Sequence, residues 1–201
     1  MLQADLRRAA EYALGRLARE LPPSLTYHCL EHTRDDVVPA VERLAAAEGV
    51  QGEDLLLLRT AAYYHDLGYI ERYEQNELIS VRMAREALPS FGYSPAQIDM
   101  IASLIMATAM PQRPETLLEQ ILADADLDVL GREDFPTRDA ALRNELAARG
   151  QDYTEPAWNA SQLQFLQTHR YFTAAARSLR DAGKQRNMAL MREKVPLYHA
   201  S

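Results

Sequence analysis

The feature that most constrains the fold of this chain is a succession of segments with helical periodicity, each stopped by proline or glycine. Residues 2–20 carry Ala, Leu, Arg and Glu at helical spacing, and Pro22 and Pro23 end the segment. Ser94 followed by Pro95 is typical of an N-cap and a first-turn proline. No stretch of useful length alternates as a strand does, and no internal repeat is visible. The sequence therefore predicts an all-α, single-domain helical bundle over residues 1–201.

The other predicted helices follow from the same periodicity and the same stop signals. They cover 28–48 with a break or kink at Pro39, 53–67, 75–88, 95 to about 109, about 115–130 ending at Gly131, 137–149, and a long helix from about 155 to 181 ending near Gly183, with a short further helix left open before Pro196. The core motifs lie at about 27–132, and the C-terminal helices at about 137–195.

Composition excludes several classes of protein. Hydrophobic residues make up 47% of the 201 residues, which argues against disorder. The net charge of -7 makes nucleic acid a poor partner. Cys29 is the single cysteine, so no internal disulfide can form. The N-terminus has no apolar run fit for a signal peptide, and no apolar stretch is long enough to cross a bilayer, so we expect a cytoplasmic protein without a membrane partner.

The adjacent pair His65 and Asp66 closes an apolar segment, residues 55–64, that otherwise has the composition of a protein core. Burying either side chain without a partner is costly. Neighbouring residues within a helix point about 100° apart, but this restriction relaxes at a helix end followed by a glycine, here Gly68. Imidazole nitrogen and carboxylate oxygen both bind divalent metals, so the pair is a candidate for two ligands of one ion.

A third candidate ligand comes from the acidic cluster Asp124, Asp126 and Asp128. Only apolar residues lie three and four positions from Asp126, whereas the corresponding neighbours of Asp128 are mostly polar and those of Asp124 are mixed. Helical period therefore predicts that Asp126 points inward and that Asp128 lies in solvent. Asp124 remains the fallback ligand if the helix is rotated.

Four segments in this order resemble the HD-domain phosphohydrolase superfamily, and within it a bacterial group of metal-dependent HD phosphohydrolases. They are Tyr27–Asp35, Ala61–Tyr69, Ile121–Arg132 and Phe165–Thr173. The resemblance implies an all-helical fold, hydrolysis of phosphate esters that are often nucleotides, and metal ligands at His32, His65, Asp66 and Asp126. Two imidazoles among the ligands favour one divalent ion of Mn, Fe, Co, Ni or Zn over Mg.

The chain departs from some relatives at two places. Two-metal members use further histidines between the second and third segments, but no histidine lies between His65 and His169, which favours one metal. Some one-metal members carry a glutamate three residues after the His-Asp pair, where this chain has Tyr69. Glu71 and Glu74 follow closely and are candidates to replace it.

The proposed mechanism has Asp66, or a nearby carboxylate such as Glu71, taking the proton from a metal-bound water. His28 is a candidate for hydrogen-bonding a phosphate, with a partly buried structural role as the equal alternative. His169 is expected to pack among aromatic side chains, with a substrate role left open. The expected partner is a small phosphorylated substrate such as a nucleotide. A binding module without turnover and a purely structural helical protein are the alternatives, and a homodimer stays open.

Overall fold

The computed structural model describes residues 4–195, and these fold into an all-α bundle as predicted. Its helices are α1 (Leu6–Glu20), α2 (Val38–Ala47), α3 (Gly52–Tyr64), α4 (Asn76–Ala87), α5 (Pro95–Met106), α6 (Leu117–Asp126), α7 (Phe135–Ala148), α8 (Glu155–Thr168) and α9 (Ala174–Lys194). Short 3-10 segments at Leu67–Ile70, Leu88–Phe91 and Asp128–Gly131 connect them. Among the described residues, no helix has the length and apolar character needed to cross a membrane.

The apolar core lies between α1, α3, α5 and α6. Leu58 and Tyr64 of α3, Ile105 of α5, and Ile121 and Leu122 of α6 are completely buried there. Burying each such side chain contributes about 1.5–3 kcal/mol, so these helices are held rigidly against one another. The end of α3 and the end of α6 both carry candidate ligands, and this core therefore fixes the distance between them.

The break predicted at Pro39 is replaced by a turn of π-helix at His32–Val37. The π-helix runs directly into α2, in which Pro39 occupies the first turn, so the chain stays helical through this proline. Single turns of π-helix are frequent at functional sites. This one begins at His32 and buries its imidazole.

The prediction of one long helix from about 155 to 181 is wrong, because the chain forms two helices, α8 and α9, with an extended segment between them. Asp124 accepts hydrogen bonds from the backbone N–H groups of Phe172 and Thr173, both at 2.8 Å, and this holds the segment open. The Thr173 hydroxyl then caps α9 by accepting from the N–H of Ala176. The bonds of Asp124 join residues about 50 positions apart, so local periodicity does not reveal them.

Gly183 lies inside α9 and does not end a helix, contrary to prediction. A Cβ built on Gly183 would stand 1.9 Å from the carbonyl oxygen of Gly131. The glycine is therefore required by the close approach of two backbones, not by a turn. Asn187 strengthens the same contact, because its amide donates to the carbonyl oxygens of Leu130 and Arg132. The short helix left open before Pro196 falls within α9 up to Lys194, and residues 196–201 lie outside the described part.

Candidate metal centre

Three separate elements bring the predicted ligands together. His32 begins the π-helix, His65 and Asp66 follow the last residue of α3, and Asp126 is the last residue of α6. Helix ends suit this purpose because the chain can change direction there and aim adjacent side chains at one point. The dihedral angles of Asp66 (φ -103°, ψ 6°) show that it has left the helix, while His65 is still helical. We call these four residues the His–Asp cluster.

The donor atoms of the His–Asp cluster lie at distances that suit one ion. The Nε2 atom of His65 is 3.3 Å from an Asp66 oxygen and 3.6 Å from an Asp126 oxygen. The Nε2 atom of His32 is 3.7 Å and 3.2 Å from the same two carboxylates. Metal–ligand bonds of roughly 2.0–2.2 Å place neighbouring donors roughly 3–3.5 Å apart. One donor atom each from His32, His65 and Asp66 also lies within 4.8 Å of the other two.

The hydrogen bonds around His65 leave its Nε2 atom free to bind a cation. The Nδ1 atom lies 2.8 Å from the carbonyl oxygen of Ala62, and since a carbonyl only accepts, Nδ1 carries the proton. Both Nε2 of His65 and Oδ2 of Asp66 are buried without a hydrogen-bond partner among the described residues. Buried polar atoms rarely stay unpaired, and two that converge on one point fit a metal ion.

The charges of the His–Asp cluster act on one another strongly. Burial alone lowers the pKa of His65, but Asp66 and Asp126 outweigh it and raise that pKa well above its usual value. Burial also lowers the pKa of His32, but Asp126, Asp36 and Asp66 outweigh burial and raise that pKa. Burial raises the pKa values of Asp66 and Asp126, yet the two histidines reverse this and lower both. The carboxylates are therefore ionised and attract positive charge to the cluster.

A second layer of charges surrounds His32. Asp36 lies one turn further along, with a carboxylate oxygen 3.8 Å from Nδ1 of His32, too long for a hydrogen bond but close enough for attraction. Arg132 donates to Asp36 at 2.6 Å, and Arg138 lies 3.3 Å from it. Burial raises the pKa of Asp36, but His32 and the two arginines lower it to about 2. Asp36 is thus anionic and favours a proton on the Nδ1 atom of His32, which leaves Nε2 for the cluster.

The three aspartates of the third segment have distinct roles. Asp126 reaches the two histidines. The prediction that Asp128 lies in solvent is wrong: Asp128 is 1% exposed, and Arg180 of α9 donates to both of its oxygens at 2.6 and 2.8 Å. The fallback ligand, Asp124, is also buried, and its oxygens accept from Phe172 and Thr173. It is therefore engaged away from the cluster.

A cavity of about 280 Å³ opens beside the His–Asp cluster. Asp66 and Asp126 line it, so a ligand in the cavity can touch the cluster. Most of the remaining wall comes from α7, α8 and the segments before them, and it is largely apolar. The lining residues from α7, α8 and the segment before them include Val129, Leu130, Phe135, Arg138, Asp139, Leu142, Gln162 and Phe165, and others are His28, Asn76 and Glu77.

His28 lines this cavity and is held by a buried carboxylate that sequence reasoning missed. Glu145 of α7 is fully buried and lies 2.5 Å from Nδ1 of His28. It also accepts from the backbone N–H groups of Tyr27 and His28 and from the Tyr73 hydroxyl. The His28 ring stacks on Tyr69 with 4.3 Å between centroids. These contacts fix the imidazole and leave its Nε2 atom available to a ligand.

The other predicted site residues lie away from the cluster. Glu71 forms an ion pair with Arg82 at 2.6 Å, and its side chain is 47% exposed. The acid-base role predicted for it stays a prediction, and Asp66 and Asp126 are the carboxylates that lie at the cluster. Glu74 is paired with Arg149 at the surface. His169 packs edge-on against Tyr171, and burial together with nearby Lys184 and Arg170 lowers its pKa to about 4.

The comparisons with known proteins agree with this geometry. The family model of the HD domain matches residues 29–128, about half of the chain. No significant match was found among curated proteins or among solved structures. The matched segment contains all four residues of the His–Asp cluster, whereas His28, Glu145 and Arg180 lie outside it. The chain therefore belongs to the HD-domain superfamily.

Proposed function

We propose that this protein is a metal-dependent phosphohydrolase that cleaves a phosphate ester, with nucleotides as the first substrates to test. The observation that carries the proposal is the convergence of two unpartnered buried atoms, Nε2 of His65 and Oδ2 of Asp66, next to a cavity that Asp66 and Asp126 line. His32 and Asp126 complete the donor set. HD domains are mostly metal-dependent hydrolases, which supports the same reaction class.

His32, His65, Asp66 and Asp126 would hold one divalent ion, and their mixture of imidazoles and carboxylates favours Mn, Fe, Co, Ni or Zn over Mg. Such an ion, when bound, polarises a phosphoryl oxygen and lowers the pKa of a bound water. The protein contributes the remaining steps. Asp66 is anionic and lines the cavity, so it is placed to accept a proton from the attacking water.

The phosphate itself would be held by side chains outside the cluster. His28 presents Nε2 because Glu145 occupies its Nδ1 atom. Arg138 also lines the cavity, and its Nε atom is buried without a partner among the described residues. A phosphate oxygen is a suitable acceptor for the Nε–H of Arg138, whereas Nε2 of His28, whose proton is on Nδ1 facing Glu145, would accept from a P–OH group. These contacts would orient the ester toward the cluster before reaction.

Metal analysis of protein purified without affinity metals, followed by a phosphate-release assay with added Mn²⁺, Co²⁺, Ni²⁺ and Zn²⁺, tests the proposal. We expect His65→Ala and Asp66→Ala to lose bound metal and phosphate release together. His169→Gln, which changes a histidine away from the cluster, should keep both. If the two cluster variants retained metal and activity, or if no metal bound to the wild type, the proposal would be wrong.

A second candidate is a module that binds a phosphorylated ligand without turnover. The observation that favours it is the ion pair between Glu71 and Arg82, because this glutamate is then directed away from the cluster. Thermal stabilisation by one nucleotide in the presence of metal, with no phosphate released over hours, would support this candidate over the first.

A further inference from the structure

The cavity beside the cluster has a wall whose chemistry is unlike that of a polyphosphate site. Four carboxylates line the cavity, those of Asp66, Asp126, Glu77 and Asp139, whereas Arg138 is the one arginine or lysine among its described lining residues. Even with a divalent ion on the cluster, a chain of several phosphates would place negative charge against Glu77 or Asp139. The charge balance favours a ligand with one phosphoryl group.

The part of the cavity formed by α7 and α8 is suited to an uncharged organic group. Phe135, Leu142 and Phe165 line it, with Leu130 and Val129 of the preceding segment. An apolar cavity of about 150 Å³ holds one benzene ring, so 280 Å³ has room for a group of roughly one or two rings. A ligand whose phosphoryl group lies at the cluster would place its organic group against this surface.

One polar group interrupts the apolar wall. Asp139 is 9% exposed, and its Oδ2 atom accepts a hydrogen bond of 3.0 Å from the indole N–H of Trp158. Its Oδ1 atom is buried with no partner among the described residues. Burial raises the pKa of Asp139, and the Trp158 hydrogen bond offsets this only in part. A buried carboxylate with one unpaired oxygen is costly, and a donor supplied by a ligand would remove that cost.

We propose that the site takes a phosphate monoester with a single phosphoryl group and a small, flat, largely apolar organic group that carries an N–H or O–H donor, and that the Asp139 carboxylate selects this donor. The inference rests on the proposed function for the position of the phosphoryl group. Asp139 is a specificity residue here, since it contacts the organic group and not the reacting atoms. It lies on α7, outside the segment that matches the HD domain.

The experiment compares phenyl phosphate with its 3- and 4-amino and 3- and 4-methoxy derivatives on metal-loaded wild-type protein. We expect kcat/KM for the better amino isomer to exceed that for phenyl phosphate by about 10- to 100-fold, the range of a hydrogen bond to a charged group. The methoxy derivatives, which accept but do not donate, should gain nothing. A diphosphate ester of the same phenol should be a poorer substrate than the monoester.

Asp139→Asn is the decisive variant because it keeps the shape of the side chain and its bond to Trp158. Its amide N–H₂ replaces one oxygen, so the ratio of kcat/KM for the better amino ester to kcat/KM for phenyl phosphate should fall to about one. Glu77→Gln removes another cavity carboxylate and is the matched control, and its amino preference should remain. Far-UV circular dichroism reports whether the variants are folded, because Trp158 is bonded to Asp139 and its fluorescence would respond to the local change.

The outcomes separate the two proposals. Hydrolysis of the esters without an amino preference, or an equal loss of preference in Asp139→Asn and Glu77→Gln, would overturn the inference and leave the phosphohydrolase standing. If no ester is cleaved, binding of phenylphosphonate and its aminophenyl analogues is measured by calorimetry. An amino preference in binding that Asp139→Asn removes would then support the inference and favour the binding module over the hydrolase. Equal or absent binding would overturn the inference.

Discussion

Replacing Arg180 with methionine should destabilise the protein far more than the loss of a typical surface charge. Asp128 is almost fully buried and receives two hydrogen bonds from Arg180, at 2.6 and 2.8 Å. Arg43, whose side chain is 45% exposed, supplies one longer contact of 3.3 Å. Arg180→Met therefore leaves a buried carboxylate with one weak partner, and breaking a buried pair in this way costs about 3–5 kcal/mol.

Urea unfolding followed by circular dichroism measures this loss. A decrease of 3–5 kcal/mol in the free energy of unfolding corresponds to a fall in the melting temperature of roughly 8–15 °C for a chain of this size. Arg7→Met is the control, because the Arg7–Glu11 pair is exposed and such pairs contribute about 0–1 kcal/mol. The m-value should not change, since the same surface is exposed on unfolding.

A second variant tests whether the buried charge is the cause. Asp128→Asn removes the charge, so the double variant with Arg180→Met should be more stable than Arg180→Met alone. A loss below about 1 kcal/mol in Arg180→Met, or a double variant less stable than the single one, would refute the reasoning.

Three further predictions follow from other contacts. Gly183→Ala should lower the free energy of unfolding, measured by urea titration, by about 1–3 kcal/mol or more, because the new methyl group meets backbone atoms. Gly15→Ala in α1 is the control: its methyl group meets only the flexible end of an arginine, so this variant should be as stable as the wild type or more stable. His169 is held neutral in the fold, with a pKa of about 4, so the unfolded chain binds a proton at a higher pH than the folded chain does. Its contribution to stability is full above about pH 6.5 and is lost as the pH falls toward 4, by at most about 1.4 kcal/mol per pH unit. A titration of stability against pH should therefore be flatter over that range in His169→Asn. Glu145→Gln replaces an oxygen that accepts with an amide that donates, so we expect a loss of about 1–3 kcal/mol by thermal unfolding, and a loss no greater than that of the exposed Glu74→Gln would contradict it.

The sequence predicted the helical class and most helix positions because proline and glycine stop signals act locally. It identified the pair His65 and Asp66 for the same reason, since an apolar segment ending in two polar residues is visible without any fold. Helical period also chose Asp126 among the three aspartates, although Asp126 is the most exposed of the three in the fold and Asp124 and Asp128 are both buried. The meeting of these residues with His32, however, was implied only by resemblance, because it depends on how three helix ends pack.

The errors came from contacts between distant parts of the chain. Asp128 has polar neighbours in sequence, but its partner Arg180 is 52 residues away and allows burial. Gly183 has the appearance of a helix stop, yet it is needed where α9 crosses Gly131. Glu145 and Asp139 lie on α7, whose sequence gave no sign that either would be buried near the cavity. Local periodicity carries no information on such partners.

The attachment of α7 and α9 to the cluster has a practical consequence for anyone who wishes to shorten this chain or to exchange its parts with a relative. A fragment cut at residue 128 would keep every candidate ligand but lose Arg180, the backbone N–H groups that bind Asp124, and Glu145, which holds His28. Grafting a foreign α7 to change substrate preference would also replace Glu145. In this protein, the residues that would bind the ion cannot be transferred without α7 and α9, which hold their surroundings in place.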